Sequence, residues 1–132
     1  MIPEQAECSI DVRFTSMSEA KRIEKEIKHL KPFNEKVSLE IFGEINRPPL
    51  ERTRQSATLY EKALAIAASF AYEIGETQVG GASDGNFVAA LGVPVLDGLG
   101  IQGDGAHTHH EHILQSDIAK RATLLASLLL EN

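Results

Sequence analysis

Residues 6–14 alternate without a break. Ala6, Cys8, Ile10, Val12 and Phe14 fall on one face, and Glu7, Ser9, Asp11 and Arg13 on the other. Successive side chains of a strand point to opposite sides, so this pattern predicts a half-buried strand. Cys8 lies on its apolar face and reads as a buried small hydrophobe rather than a nucleophile. Ser16 and Glu19 stand at capping-box spacing and predict a helix start. Ala20, Ile23, Ile27 and Leu30 then recur on one helical stripe, and Pro32 closes the segment. Val37, Leu39 and Ile41 predict a second strand over 37–42. A strand–helix–strand unit favours two neighbouring strands under one helix. Arg47-Pro48-Pro49 interrupts all periodicity and predicts a boundary.

Beyond it the pattern changes. A long helix is expected over 56–74, with Leu59, Ala63, Ile66, Phe70 and Ile74 inward and Gly75 as its stop. A short helix follows from Asp84 to Leu91, then a short apolar strand, Val93-Pro94-Val95-Leu96. A glycine- and histidine-rich loop covers 98–112. The last helix starts at Ser116-Asp117 and runs to Leu130, with Ile118, Ala122, Leu125 and Leu129 expected inward. The whole predicts an α/β fold in two pieces, 1–52 and 53–132. The second alternates helix and strand as a mostly parallel sheet would.

Composition narrows the function classes. Net charge is −6, from 13 basic and 19 acidic residues, no basic stripe is visible, and aromatic residues make up 5%. These values argue against a nucleic-acid partner. No apolar run reaches the roughly 18 residues of a membrane span, so no membrane partner is expected. No signal peptide is visible at the start, and the single Cys8 excludes an internal disulfide, which together predict a reducing, cytoplasmic setting.

The densest chemical signal runs from Asp104 to His112: His107, His109, His110 and His112 with Asp104, Glu111, Gly103 and Gly105. Imidazole is the commonest protein ligand for zinc. The spacing H-x-H-H-x-H cannot aim four rings at one tetrahedral centre. His107, beside Gly105, is the better ligand candidate; His109, His110 and His112 read as surface residues. A second signal is Gly80-Gly81-Ala82-Ser83-Asp84. Ser83 is placed to cap the short helix, and free N–H groups there would cradle an anion, although a plain turn explains the same residues. Arg13 is either a solvated charge paired with Asp11 or a carboxylate fork. Asp97-Gly98 reads as a turn.

In order along the chain, Ile2-Pro3-Glu4-Gln5-Ala6 with Asp11-Val12-Arg13, Gly80 to Phe87, Leu91-Gly92-Val93-Pro94, and Gly105-Ala106-His107-Thr108 with Glu111 resemble a superfamily of zinc peptidases and deacylases. That superfamily includes glutamate carboxypeptidase, succinyl-diaminopimelate desuccinylase, acetylornithine deacetylase and peptidase T. The resemblance implies that residues 1–52 are the second half of a ferredoxin-like lid or dimerisation domain. Residues 53–132 would be the C-terminal part of the catalytic domain. It further implies that His107 ligates one of two zinc ions (cobalt or manganese suit similar ligands), that Arg13 binds a substrate carboxylate, and that Gly80, Gly81 and Ser83 line the substrate pocket. The implied reaction is cleavage of an amide bond next to a free carboxylate, in a small peptide or N-acyl amino acid.

The general base and the other metal ligands of that superfamily have no counterpart here, so no catalytic residue is assigned. The chain is expected to be inactive alone and to need an N-terminal half as partner, with homodimerisation through the lid. Asn86 stands where some members carry arginine, which argues against desuccinylase specificity. The rival expectation is a non-catalytic remnant acting as a dimerisation or binding module. Unpaired strand edges are expected to make the isolated chain self-associate or to leave 98–112 partly disordered.

Overall fold

The computed structural model describes residues 3–131. The chain divides into two units, Met1–Pro49 and Leu50–Asn132. Each owes its order to helix ends that the sequence marks.

In the first unit, helix α1 spans Met17–Lys28. Ser16 is its N-cap, with its hydroxyl accepting the Glu19 N–H at 3.2 Å, which satisfies one of the N–H groups a helix start leaves open. Ala20 is buried and Ile23 and Ile27 are half-buried, as the stripe predicts. Leu30 lies past the helix end and is exposed, since the helix stops at Lys28 with His29 as cap. The two predicted strands are not formed. Residues 6–14 and 37–42 join no ladder; Ile10, Val37 and Leu39 are about half or more exposed, and Cys8 is exposed rather than buried. An extended segment gains its stability from a hydrogen-bonded neighbour, and these two do not pair with each other. Alternation alone specified a face without supplying a partner.

The second unit is built on two helices. Helix α2 spans Arg54–Ser69, with Thr53 and Ser56 forming a reciprocal capping box. It ends five residues earlier than expected because Ala71 turns left-handed, at φ 55. The Tyr72 N–H then reaches back to the Ala67 carbonyl at 2.9 Å and the Ala71 N–H to that of Ala68 at 3.2 Å. That double bond pattern is a Schellman stop, with alanine where glycine is usual, so Gly75 has no part in it. Helix α3 spans Gly85–Ala90. The expected strand 93–96 lies outside any ladder, although Leu96 packs against the core. A two-stranded antiparallel hairpin joins β1, Gly103–Asp104, to β2, His112–Ile113. It is the sheet among the described residues, so the mostly parallel arrangement is not seen. Helices with one small sheet remain compatible with the α/β class. A short 3-10 turn, Gln115–Asp117, leads into helix α4, Ile118–Leu130.

Helices α2 and α4 pack together. Ala63, Ile66, Ala67, Tyr72 and Leu124 form the core, with Phe70, Ile74, Leu96, Leu99 and Leu128 against it. The inward stripe of α4 differs from the expected one: Leu124 is fully buried, while Ile118, Leu125 and Leu129 are exposed. Leucines occupy both sides of this helix, so periodicity could not choose between them. The choice is made by Asp117, just before the helix, which is 4% exposed. Its carboxylate accepts the Tyr72 hydroxyl at 2.6 Å and the Gln102 N–H at 2.8 Å. Arg121, one turn on, sets its Nε 3.6 Å from the same carboxylate and its guanidinium 5.4 Å from the centre of the Tyr72 ring. That network turns the 117–121–124–128 face of the chain toward α2.

Two expectations follow. Ala71→Gly should raise stability by on the order of 0.5 kcal/mol, the relief of left-handed strain less the extra freedom of the unfolded chain, and a chemical denaturation curve reads it. The second concerns pH. The Tyr72 hydroxyl, then the Gln102 N–H, hold the Asp117 carboxyl below its usual range. Burial, then the bond to Asp117, pushes the Tyr72 phenol up. A depressed carboxyl stabilises the fold above its unfolded pKa, and the gain is lost as pH falls; a raised phenol stabilises below its unfolded pKa, and the gain is lost as pH rises. Melting temperature should therefore fall below about pH 4 and above about pH 10. Tyr72→Phe should lower it at neutral pH and make both limbs shallower.

Candidate functional site

The residues singled out for chemistry fall into three local groups. Arg13, in the first unit, directs its Nε to Asp11 at 3.2 Å, and both side chains are mostly exposed. An exposed pair of this kind contributes little to stability.

The second group is the turn into α3. The Ser83 N–H donates to the buried Asn86 Oδ1 at 3.1 Å, and the Asn86 N–H returns to the Ser83 carbonyl at 3.2 Å. The Ser83 hydroxyl accepts the Gly85 N–H at 3.2 Å, while Asp84, the residue at the cap position, makes no side-chain cap. Three N–H groups of this helix start, at 83, 85 and 86, are thus satisfied internally. The Ser83 hydroxyl keeps its proton to donate. Gly81 is exposed, and a Cβ there would meet nothing within 4 Å. Neither backbone strain nor crowding inside the chain asks for glycine at that position.

The third group is the hairpin tip. Gly103 allows the two strands to close, because a Cβ there would collide with the His112 carbonyl. Asp104 accepts the Gly105 N–H at 2.7 Å, and Gly105 turns left-handed at φ 72. Thr108 returns both its N–H, at 2.9 Å, and its hydroxyl, at 2.6 Å, to the Gly105 carbonyl. His107, inside that turn, is itself left-handed at φ 66, a conformation uncommon for residues with a Cβ. Glu111 closes the tip by accepting the His107 N–H at 3.1 Å. The histidines then separate by role. The Nδ1 of His110 faces the Thr108 hydroxyl at 3.1 Å, and that of His112 faces the His110 carbonyl at 2.9 Å. The exposed His107 ring makes no hydrogen bond among the described residues. The tip is thus a chain of turns over a short ladder.

This donor set fits one leg of a metal centre and not a whole one. Among the described residues, no three of histidine, cysteine, aspartate and glutamate come together to hold an ion. Asp117 and Tyr72, which organise the unit, were not singled out from sequence. The signal that could have found Asp117 is an acid placed just before a leucine-rich helix. Glu111 was noted for its spacing from His107 without a role. Left-handed strain at the tip predicts opposite outcomes for two neighbours. His107→Gly should stabilise the chain slightly, by about 0.5–1 kcal/mol. Gly105→Ala should destabilise it by at least that much, because a Cβ there would lie 2.7 Å from the His110 ring. Thermal melts of both variants check this.

The comparisons with known proteins are consistent with that chemistry. A family model described as peptidase family M20/M25/M40 matches residues 3–131. No curated relative and no solved structure matches the chain. Membership of that family suggests a metal-dependent peptidase or hydrolase, with zinc the common ion. The match runs through both units, and the chain belongs to the peptidase family M20/M25/M40.

Proposed function

We propose that this chain supplies one metal ligand and the carboxylate-recognising elements of a zinc-dependent amidohydrolase that cleaves a peptide or N-acyl amino acid next to a free carboxylate. The observation that carries the reading is His107: an exposed imidazole free of hydrogen bonds, on a strained backbone that neighbouring turns hold in place. Strained backbone conformations at polar residues cluster at functional sites. When bound, a metal pair supplies an activated water and a Lewis acid for the amide carbonyl. The remaining donors and the general base would come from polypeptide outside this sequence, since no donor cluster is present among the described residues.

The chain's own groups would bind and orient. Arg13 offers a planar fork to a carboxylate, and its exposed pair with Asp11 contributes little. Ser83 offers its hydroxyl proton, and the open space at Gly81 leaves room for a ligand to approach the backbone. In the same reading, residues 1–52 are the second half of a ferredoxin-like lid through which the enzyme dimerises, and 53–132 are the C-terminal part of its catalytic domain. A second reading, a non-catalytic dimerisation or binding module, draws its support from the incomplete donor set.

The isolated chain is expected to hydrolyse no N-acyl amino acid or dipeptide. In the enzyme reconstituted with the segment carrying the other ligands, His107→Ala should abolish turnover. Arg13→Ala should raise KM roughly 10- to 100-fold for substrates with a free carboxylate, the loss of a charged hydrogen bond, and little for their amides. Full activity with His107→Ala ends the hydrolase reading; an unchanged KM with Arg13→Ala ends the role given to that side chain.

A further inference from the structure

We infer that Glu111 is a positioning residue for His107, acting through the backbone rather than by touching an ion or substrate; this rests on the reading of His107 as a metal ligand. The direction of an imidazole is set by the φ and ψ of its own residue before its side-chain torsions. His107 sits at φ 66, which its neighbours must enforce. Two turns share the work at the tip. The Gly105 carbonyl takes both donors of Thr108, and the Thr108 carbonyl takes the Glu111 N–H at 3.2 Å. The first closes a turn around Ala106 and His107, and neither uses the His107 N–H. The bond that does runs from its N–H to the Glu111 carboxylate, four residues on. With the 105–108 turn as the only other restraint, loss of that bond lets the backbone at 107 relax toward the common right-handed or extended regions, and the ring would swing with it. The same carboxylate, spent on an N–H, faces inward across the loop, which explains an acid among four histidines without making it a further ligand.

The test compares Glu111→Ala with Glu111→Gln, whose amide oxygen can still accept the N–H. In the full chain, backbone amide exchange by NMR reads the clamp, with the Leu124 amide as a control for the folded core. Glu111→Ala should speed exchange at His107 at least 10-fold and leave Leu124 unchanged; Glu111→Gln should stay near the parent. Zinc titration of the reconstituted enzyme reads the consequence. Affinity should fall roughly 10- to 100-fold with Glu111→Ala, as for residues that orient a ligand, and recover most of that loss with Glu111→Gln.

Unchanged His107 exchange in the alanine variant overturns the clamp. Equal zinc loss in both variants, with exchange preserved in glutamine, also overturns it, because charge and not the hydrogen bond would then matter. Zinc affinity lost with His107→Ala but untouched by Glu111→Ala overturns the positioning role alone. Affinity untouched by His107→Ala instead removes the metal-ligand reading beneath it. If Glu111→Ala disturbs Leu124 as well, the glutamine variant decides: parent-like exchange with parent-like zinc affinity supports the clamp, and a loss of either sinks it.

Discussion

The Asp117 carboxylate ties the second unit together. It gathers the Tyr72 hydroxyl from just past α2, the Gln102 N–H from the foot of the hairpin and the Arg121 side chain from the first turn of α4. A buried carboxylate is tolerated only when its oxygens are matched by donors, and here each oxygen has one. The negative charge also sits at the start of α4, where the helix dipole favours it. At the other end of the same helix, Lys62 of α2 donates to the Glu131 carbonyl at 2.8 Å. The two helices are therefore registered by polar contacts at both ends, with Leu124 and the alanines of α2 filling the space between. A core this small needs that polar fixing to select one packing over others.

Much of this arrangement can be read from residue types. Ser16 with Glu19, and Thr53 with Ser56, mark helix starts by local chemistry, which acts over one turn and needs no distant partner. The inward face of α2 follows from its period, because Leu59, Ala63 and Ile66 alternate with polar residues on the other side. What was not legible depends on nonlocal choices. Alternation over 6–14 states which side chains would share a face, yet a ladder needs a second strand, and none pairs with it among the described residues. In α4 leucines stand on both sides, and the buried Asp117 network turns inward the stripe that also carries Arg121, not the wholly apolar one. The early end of α2 rests on a left-handed alanine, which composition does not announce.

The candidate site divides along the same line. Its residue types were visible as a crowd of histidines, with His107 preferred for its glycine neighbour. Their separation into roles required backbone geometry: His110 and His112 have ring nitrogens facing loop partners, whereas the His107 ring has none among the described residues. The turn at Ser83 shows the opposite case. Its sequence suggested open N–H groups, and the buried Asn86 side chain closes one of them from within.

The hairpin tip has a design consequence. Its shape is held by backbone turns, by glycine at 103 and 105 and by the side chains of Asp104, Thr108 and Glu111. His109 contributes to none of these bonds and faces solvent. Position 109 is thus a vacant fitting on a fixed frame. A fluorophore or a spin label attached there would ride two residues from the imidazole at 107 and report on its surroundings while leaving the frame undisturbed.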